Sequence, residues 1–305
     1  MNFTHLRSFV EVAKARSFTV AGDALCLTQP AISFHIKQLE ADLGIKLFIR
    51  QGRQIELTPA ARTVLSYTEP IFNIAERLQQ EVRSLSSHHS TAVNIGTGVF
   101  FAEHYLPEIL AGFRKQFPNI DIRCEAKQTR ALLADVHNFD YDFAFLGDIE
   151  ADKDLNVQTL AYDDILVIVA ADHPLSARTS LTIQDFANWP LITYPSGSET
   201  QAIVEEFLKN ANIVPPSSFV YASSEGIKRA VEAGIGIALF PRKPAARELK
   251  EGSLKCLSIE GFDLRRRYTL VFRRDNPLSP TSKVFRDAVL TWRTRNMARL
   301  GRVRG

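Results

Sequence analysis

Three short helices are predicted in the first 44 residues, because apolar side chains recur there at spacings of three and four. Residues 2–14 and 17–25 carry the first two apolar stripes. Thr28 can cap a third helix and Gly44 can end it. The apolar stripe of this third helix consists of Ile32, Ile36, Leu39 and Leu43.

The second and third helices are separated only by the tripeptide CLT, which predicts a tight turn between them. The third helix leaves a polar face for solvent, made of Gln29, Ser33, Phe34, His35, Lys37 and Gln38. On an isolated helix, such a face would be ordinary solvated surface. In a helix-turn-helix, the second helix enters the major groove by its N-terminal residues, so double-stranded DNA is the predicted partner.

A long helix is predicted from Pro59 to about Ser87. Its apolar seam keeps the three-four spacing of a coiled coil and consists of Ala61, Val64, Thr68, Ile71, Ala75, Leu78, Val82 and Leu85. The partner of this seam is expected to be a second copy of the chain; the alternative is the chain's own C-terminal part. Pro70 should kink or break the helix. The segment SSHHST at 86–91 is predicted to be a hinge, and its two histidines are interpreted as linker residues rather than metal ligands.

From Val93 onward, short apolar runs alternate with helical segments, which predicts an α/β fold with largely parallel sheets. Strands are expected within 92–98, 120–126, 142–148, 165–171, 190–195, 218–223, 235–241 and 268–274. Helices are expected at 104–116, 129–138, 199–210, 224–234 and 281–297. In such folds, ligands bind at the carboxyl ends of the strands.

Charge is distributed unevenly, although the net charge of the 305 residues is only +3. Residues 91–263 contain 15 basic and 24 acidic side chains, whereas residues 264–305 contain 12 and two. The basic segment RTRNMARLGRVRG at the C-terminal end is predicted to be a flexible tail, with nonspecific phosphate contact as the alternative. Three widely spaced cysteines, Cys26, Cys124 and Cys256, fit buried or incidental thiols in a reducing cytoplasm.

Motifs of the common enzyme classes are missing from the sequence, which has no P-loop, dinucleotide fingerprint, G-x-S-x-G elbow or zinc-ligand spacing. It also has no run of 18 apolar residues and no secretory signal pattern. We therefore expect a cytoplasmic protein without catalytic residues, cofactor, metal site or membrane span.

Residues 1–58 resemble the winged helix-turn-helix domain of LysR-type transcriptional regulators. The resemblance runs through FVEVAKARSFTVAGDALCLTQPAISFHIKQLEADLGIKLFIR, with QPAIS, QLEADLG and LFIR in order. Two residues depart from the family pattern: Gly22 stands where alanine is usual, and Phe34 stands where arginine is frequent. Phe34 is therefore expected to contact a thymine methyl group rather than a guanine.

This resemblance implies a set of DNA-contacting residues on the third helix and on a wing formed by QGRQIELT. The base-edge contacts would come from Gln29, Ala31, Ser33, Phe34, His35 and Gln38. The backbone contacts, to phosphates or the minor groove, would come from Thr28, Arg50 and Arg53.

The C-terminal part resembles the regulatory domain of the same family through FPNIDI, ADHPL and VEAGIGIALFP. That domain is similar to periplasmic binding proteins, with a small-molecule effector cleft between two α/β lobes. The implied division is a DNA-binding domain at 1–58, a linker at 59–91 and a regulatory domain at 92–305. Lobe one would comprise 92–163 and 268–305, and lobe two 164–267.

Candidate effector-binding residues follow predicted strands or open predicted helices on both lobes: Thr97, Gly98, Val99, Phe100, Thr129, Ser196, Gly197, Ser198, Thr200 and Ser224. Their hydroxyls and backbone amides suit an anion. Gln201 stands where some relatives carry arginine, and Phe100, Phe101 and Tyr194 are expected nearby. A small organic acid is therefore expected in preference to a multiply charged phosphate.

The family resemblance further implies dimers through the linker helix, tetramers through the regulatory domains, and an interrupted palindromic DNA site. RNA polymerase is a further partner that it allows. The alternative is a nucleoid protein without an effector, whose affinity for DNA would not respond to any metabolite.

Overall fold

The computed structural model describes residues 1–51, 54–86, 92–178, 182–259, 262–276 and 278–302. Its N-terminal part is helical and includes one β-hairpin. The elements are α1 (Phe3–Ala15), α2 (Phe18–Leu25), α3 (Gln29–Leu43), β1 (Phe48–Gln51), β2 (Gln54–Leu57) and α4 (Pro59–Ser86). The three predicted short helices and the wing strands are therefore confirmed.

Local capping explains where α2 and α3 begin and end. Ser17 Oγ accepts the backbone N–H of Val20 at the start of α2, and Thr28 Oγ1 accepts that of Ala31 at the start of α3. Gly44 ends α3 with a φ of +68°, in the left-handed region that glycine tolerates. The helices pack around a common core of Leu6, Phe9, Val10, Val12, Ala21, Ile32, Ile36, Leu39, Leu47 and Ala61.

Gly22, one of the two departures from the family pattern, lies where the turn after α2 folds back on the helix. A Cβ at this position would lie 2.7 Å from the carbonyl oxygen of Leu27, whose own N–H donates to the Gly22 carbonyl. In this chain, the turn lies too close to position 22 for a side chain unless its backbone shifts.

Helix α4 is continuous through Pro70, so of the predicted kink or break at this residue the break is wrong. The early part of its seam packs on the N-terminal core, where Ala61 is fully buried. Further along, Asn73 Nδ2 donates to the Asn138 carbonyl of the C-terminal part at 2.6 Å. The later seam residues Leu78 and Val82 are 62% and 56% exposed, so none of the residues that the structure describes covers them.

The C-terminal part is a mixed α/β structure. Its strands are β3 (Val93–Thr97), β4 (Ile122–Ala126), β5 (Phe143–Leu146), β6 (Leu155–Ala170), β7 (Leu191–Thr193), β8 (Ser218–Val220), β9 (Ala238–Pro241), β10 (Leu254–Leu257) and β11 (Leu264–Arg273). Its helices are α5 (Val99–His104), α6 (Leu106–Gln116), α7 (Thr129–His137), α8 (Glu199–Asn210), α9 (Ser224–Glu232), α10 (Arg242–Glu251) and α11 (Pro280–Arg302).

Two helix predictions need correction. The helix expected at 104–116 is divided at Tyr105, because Pro107 lies in the first turn of α6 and begins a new helix there. Helix α11 continues to Arg302, so the basic segment expected to be a flexible tail is helical up to that residue.

The main sheet has the strand order β10-β6-β11-β5-β3-β4, and β9 also pairs with β6. Strand β3 runs parallel to β4 and β5, but β6 is antiparallel to β9, β10 and β11. The expectation of largely parallel sheets is therefore wrong. Strands β7 and β8 form a separate parallel pair.

The long strands β6 and β11 pair along ten residues of β11 and run from one hydrophobic core into the others. On one side, Phe143, Phe145 and Phe285 belong to a core that includes α6 and α11. On the other side, the far halves of both strands meet α8, β7 and β9. We refer to these two sides as lobe one and lobe two.

All three cysteines are exposed and free, so of the two expected alternatives, buried or incidental thiols, the structure contradicts burial. Among the described helices, none combines the length and the hydropathy that crossing a bilayer requires.

Candidate functional sites

The N-terminal turns of α3 form a polar surface as expected. Thr28, Gln29 and Gln38 are exposed, and Phe34 is 56% exposed. Ala31 and Ser33 are half-buried. Gln29 Nε2 donates to Ser33 Oγ at 2.8 Å, one helical turn away, so this pair presents its remaining hydrogen-bonding groups in a fixed orientation.

His35 is held against α1, unlike the other residues of this surface. Its Nδ1 lies 2.8 Å from Ser8 Oγ, and its ring stacks on His5 with centroids 4.9 Å apart. Burial and the neighbouring His5 lower the pKa of His35. The Phe34 ring meets the His5 ring edge to face, with centroids 6.5 Å apart. This aromatic cluster therefore supports one side of the polar surface of α3.

The wing hairpin places Arg50 in β1, opposite Ile55 of β2. The Arg50 side chain and the whole of Arg53 lie outside the described residues. Their contacts with phosphates or the minor groove stay a prediction.

The predicted effector residues fall into two groups. Phe100, Thr129 and Thr200 converge on one point between the lobes, through contacts with two charged side chains that are described below. Ser224 Oγ lies 2.9 Å from the Tyr194 hydroxyl in lobe two. The rest of the predicted set lies at the end of β3 (Thr97), at the start of α5 (Gly98 and Val99) and just before α8 (Ser196, Gly197 and Ser198).

Several members of that second group are already engaged within the chain. Thr97 is buried and its hydroxyl donates to the Gly98 carbonyl, while Ser198 Oγ caps α8 by accepting the N–H of Gln201. Val99 is 55% exposed at the start of α5. These hydroxyls are therefore less available to a ligand than the sequence suggested.

Arg266, which the sequence analysis did not single out, is the central charged group of the cleft. Its Nη2 lies 2.5 Å from Glu199 Oε2, and its Nη1 donates to Thr200 Oγ1 at 3.0 Å. The guanidinium carbon lies 4.6 Å from the ring centroid of Phe100 and 4.9 Å from that of Tyr268. Burial lowers the pKa of Arg266, but Tyr268 and Glu199 outweigh it and raise the pKa above its ordinary value.

The arginine of this cleft thus comes from β11 and not from the α8 position where some relatives carry it. Gln201, at that position, is buried within lobe two, where it contacts Thr193 and Glu205. The sequence did offer an indication, since the run Arg265–Arg267 stands beside the expected crossing between the lobes. Alternation along an extended strand turns the middle arginine to the opposite face from its neighbours.

Asp163 and Arg266 are cross-strand partners where β6 and β11 pass between the lobes. The Asp163 carboxylate is buried and accepts the backbone N–H of Lys243 at 3.1 Å. Burial raises its pKa to about 6, although that N–H and the Tyr105 hydroxyl partly oppose the shift. One base and two acids, Arg266, Asp163 and Glu199, therefore share the cleft.

Three buried polar atoms around Arg266 have no hydrogen-bond partner among the described residues: Arg266 Nε, Tyr268 Oη and His104 Nε2. The Phe100 ring lies between their side chains, 5.8 Å from Tyr268 and 4.6 Å from His104. Burial, together with Lys228, Lys243 and Arg266, lowers the pKa of His104. Because buried polar atoms are normally paired, this group indicates a place where a polar ligand is accommodated.

Replacing Asp163 by asparagine should remove a pH-dependent loss of stability. The raised pKa of Asp163 means that the folded state holds its proton more tightly than the unfolded state. Its stabilising contribution is complete below about pH 4 and is lost as the pH rises through about 6, at roughly 1.4 kcal/mol per pH unit. Urea unfolding between pH 4 and 7 should show a smaller decline for Asp163→Asn than for the wild type. Parallel pH profiles would contradict this, and Asp23→Asn, at an exposed position, is the control.

Comparison with known proteins supports both halves of this description. The model of the bacterial regulatory helix-turn-helix protein, lysR family, matches residues 3–62, and that of the LysR substrate binding domain matches residues 86–293. The HTH-type transcriptional activator CmpR of Synechocystis sp. is 30% identical over 92% of this chain and 91% of its own. The RuBisCO operon transcriptional regulator of Allochromatium vinosum is 28% identical over 99% of both.

The fold is also that of a solved regulator. Full-length CbnR in complex with its target DNA superposes with a TM-score of 0.67, covering 96% of this chain and all of that chain at 21% identity. Since family models match both the helix-turn-helix and the two-lobed part, the chain belongs to the LysR family of transcriptional regulators, which bind DNA and respond to effectors.

Proposed function

We propose that the protein binds an interrupted palindromic DNA site as a homodimer, and that a small organic acid in the cleft between the lobes adjusts this binding. The observation that carries the effector proposal is the buried Arg266 guanidinium, whose own Nε, like Tyr268 Oη and His104 Nε2 nearby, has no hydrogen-bond partner among the described residues. It is the kind of site that holds a single carboxylate by a charge-assisted hydrogen bond.

The chemistry of the cleft favours an organic acid over a multiply charged phosphate. Among the described residues, Glu199 is the acid that forms an ion pair with Arg266, and Asp163 is its cross-strand neighbour. A ligand with several negative charges at Arg266 would lie close to both acids. A monocarboxylate with an aromatic or apolar body would instead place one charge at Arg266 and the body near Phe100.

The DNA-binding proposal assigns α3 to the major groove, with Gln29, Ser33 and Phe34 at base edges and Thr28 at the backbone. Support comes from their exposure and from the Gln29–Ser33 hydrogen bond. Two such helices related by a two-fold axis would read two half-sites, which gives a palindrome. The exposed part of the α4 seam is the surface through which the two copies would pair.

Replacing Gln29 by alanine should cost roughly 1–3 kcal/mol of binding free energy at one or two particular base pairs per half-site. The side chain offers a donor and an acceptor to a base edge, and its loss leaves those edge atoms unpaired. Electrophoretic mobility shifts on single-base variants of the selected site would measure the effect. Gln79→Ala, at an exposed position of α4, is the control and should not change the sequence preference. If Gln29→Ala kept the sequence preference of the wild type, the proposal that α3 binds in the major groove would be overturned.

We place this regulator in the cytoplasm with its DNA, without a catalytic step or cofactor, and RNA polymerase is a proposed further partner. The effector proposal is tested by isothermal titration of the full chain with aromatic acids, dicarboxylates and sugar phosphates. Tight binding of sugar phosphates alone would overturn the choice of an organic acid. Footprinting of a selected palindrome with and without the bound acid then tests the response, and an unchanging footprint would favour an effector-independent nucleoid protein.

A further inference from the structure

Glu199 connects the two lobes through its carboxylate. It is the first residue of α8 in lobe two, and its Oε1 accepts a 2.6 Å hydrogen bond from Thr129 Oγ1, at the start of α7 in lobe one. Its Oε2 lies 2.5 Å from Arg266 Nη2 on β11. One carboxylate thus binds a hydroxyl of one lobe and the guanidinium at the crossing between both.

Lobe one has a recess that accommodates this carboxylate. Gly147, directly after β5, lies beneath it, and a Cβ at that position would overlap the carboxylate oxygens. Glu199 is not needed to cap its own helix, because Ser198 already performs that role. Its side chain is 26% exposed, so it can reach solvent when it leaves Arg266.

The position of this carboxylate is also the position that an acidic ligand requires. Arg266 has one strong partner, and that partner is an acid of the chain itself. The unpaired Arg266 Nε and Tyr268 Oη lie beside it. A ligand carboxylate can therefore bind the Arg266 guanidinium only by displacing the Glu199 carboxylate. Arg266 Nε and Tyr268 Oη are then available to donate hydrogen bonds to the ligand.

We propose that Glu199 is a cross-lobe latch that occupies the anion site of the cleft, and that monocarboxylate effectors act by replacing it. This inference rests on the proposed effector function. Exchange of one carboxylate for another keeps the charge of the cleft balanced, whereas a neutral ligand cannot compete for Arg266. Displacement also releases Thr129, so the lobes lose a bond that joins them and change their relative arrangement.

The test uses the full chain with benzoate as the probe, a monocarboxylate whose ring suits the aromatic walls. In Glu199→Gln, the amide is uncharged and competes weakly for the guanidinium. Isothermal titration should then show benzoate binding about tenfold tighter or more than in the wild type, because the ligand no longer has to displace an internal competitor. Glu206→Gln, an exposed acid on the same helix, is the matched control and should leave the affinity unchanged.

A second variant displaces the latch without replacing a polar side chain. Gly147→Ala places a methyl group where the Glu199 carboxylate lies, and the flexible end of that side chain must move away. It should raise the benzoate affinity in the same direction as Glu199→Gln. If Glu199→Gln failed to fold, Gly147→Ala would still decide the proposal.

The native thiols allow the distance between the two lobes to be measured in the absence of any ligand. Cys124 lies on β4 of lobe one and Cys256 on β10 of lobe two, and both are exposed. Cys26 is replaced by serine, spin labels are attached to Cys124 and Cys256, and the labelled chain is diluted with unlabelled chain. The distribution of distances between the two labels in ligand-free Glu199→Gln should then shift toward that of benzoate-bound wild type.

The outcomes separate the latch from the effector site. Acid binding to the wild type with no gain in either latch variant, and no shift in distances, would overturn the latch and leave the effector proposal intact. Absence of benzoate binding in the wild type and both variants would overturn the latch. The wider panel of acids then decides whether the proposed effector function fails with it.

Discussion

Replacing Leu78 by aspartate should convert the protein into a monomer and weaken its binding to a palindromic site by about 10²–10⁴-fold. Leu78 is 62% exposed on the part of the α4 seam that no described segment of the chain covers. In a paired seam, the two aspartates would meet in the desolvated contact between the helices and repel each other. A monomer loses the gain in DNA affinity that comes from holding two α3 helices together in one dimer.

Light scattering coupled to gel filtration would measure the mass, and mobility shifts on a full site and on a half-site would measure the affinity. The half-site affinity should change little, because α3 is distant in sequence and intact. Gln79→Asp, the neighbouring exposed position off the seam, is the matched control. A Leu78→Asp variant that remains dimeric would assign dimer formation to another surface of the chain.

Replacing Arg266 by methionine should destabilise the two-lobed part by about 3–5 kcal/mol and abolish acid binding. The change leaves the Glu199 carboxylate without its guanidinium and Asp163 without its cross-strand cation. It also removes the stacking of the guanidinium on Phe100 and Tyr268. Both tryptophans, Trp189 and Trp292, lie in this part of the chain, so urea unfolding followed by tryptophan fluorescence reports on it.

A double-mutant cycle separates the ion pair from the packing. In Arg266→Met combined with Glu199→Gln, no unpaired acid remains at this position, and much of the lost stability should return. If the double variant were as unstable as Arg266→Met alone, the loss would come from packing or from Asp163, and Glu199 would not be the main partner of Arg266.

In the proposed function, the two sites would be connected through the dimer. An acid that changes the arrangement of the lobes would change how the regulatory parts of two chains fit together. The linker helices would convert that change into the spacing of the two α3 helices on DNA. The effector can shift this equilibrium only by its difference in affinity for the two arrangements, which displacement of Glu199 would supply.

The sequence determined the local features whose causes are local. Thr28 caps α3 and Gly44 ends it because their own backbone and side-chain chemistry favours those positions. The three-four spacing of α4 predicted an apolar seam available to a partner, and Leu78 and Val82 of that seam are exposed. The helix-turn-helix part and the regulatory part were both recognisable because the motifs of each are contiguous in the chain.

Only the tertiary structure decided the centre of the cleft. Arg266 and Asp163 become partners through the register of two antiparallel strands about one hundred residues apart, a pairing that no local pattern encodes. The same register made the sheet mixed where alternation of strands and helices suggested a parallel one. Glu199 reads in the sequence as a first-turn acid of an ordinary helix, and it becomes a contact between lobes only because folding places Thr129 and Gly147 opposite it.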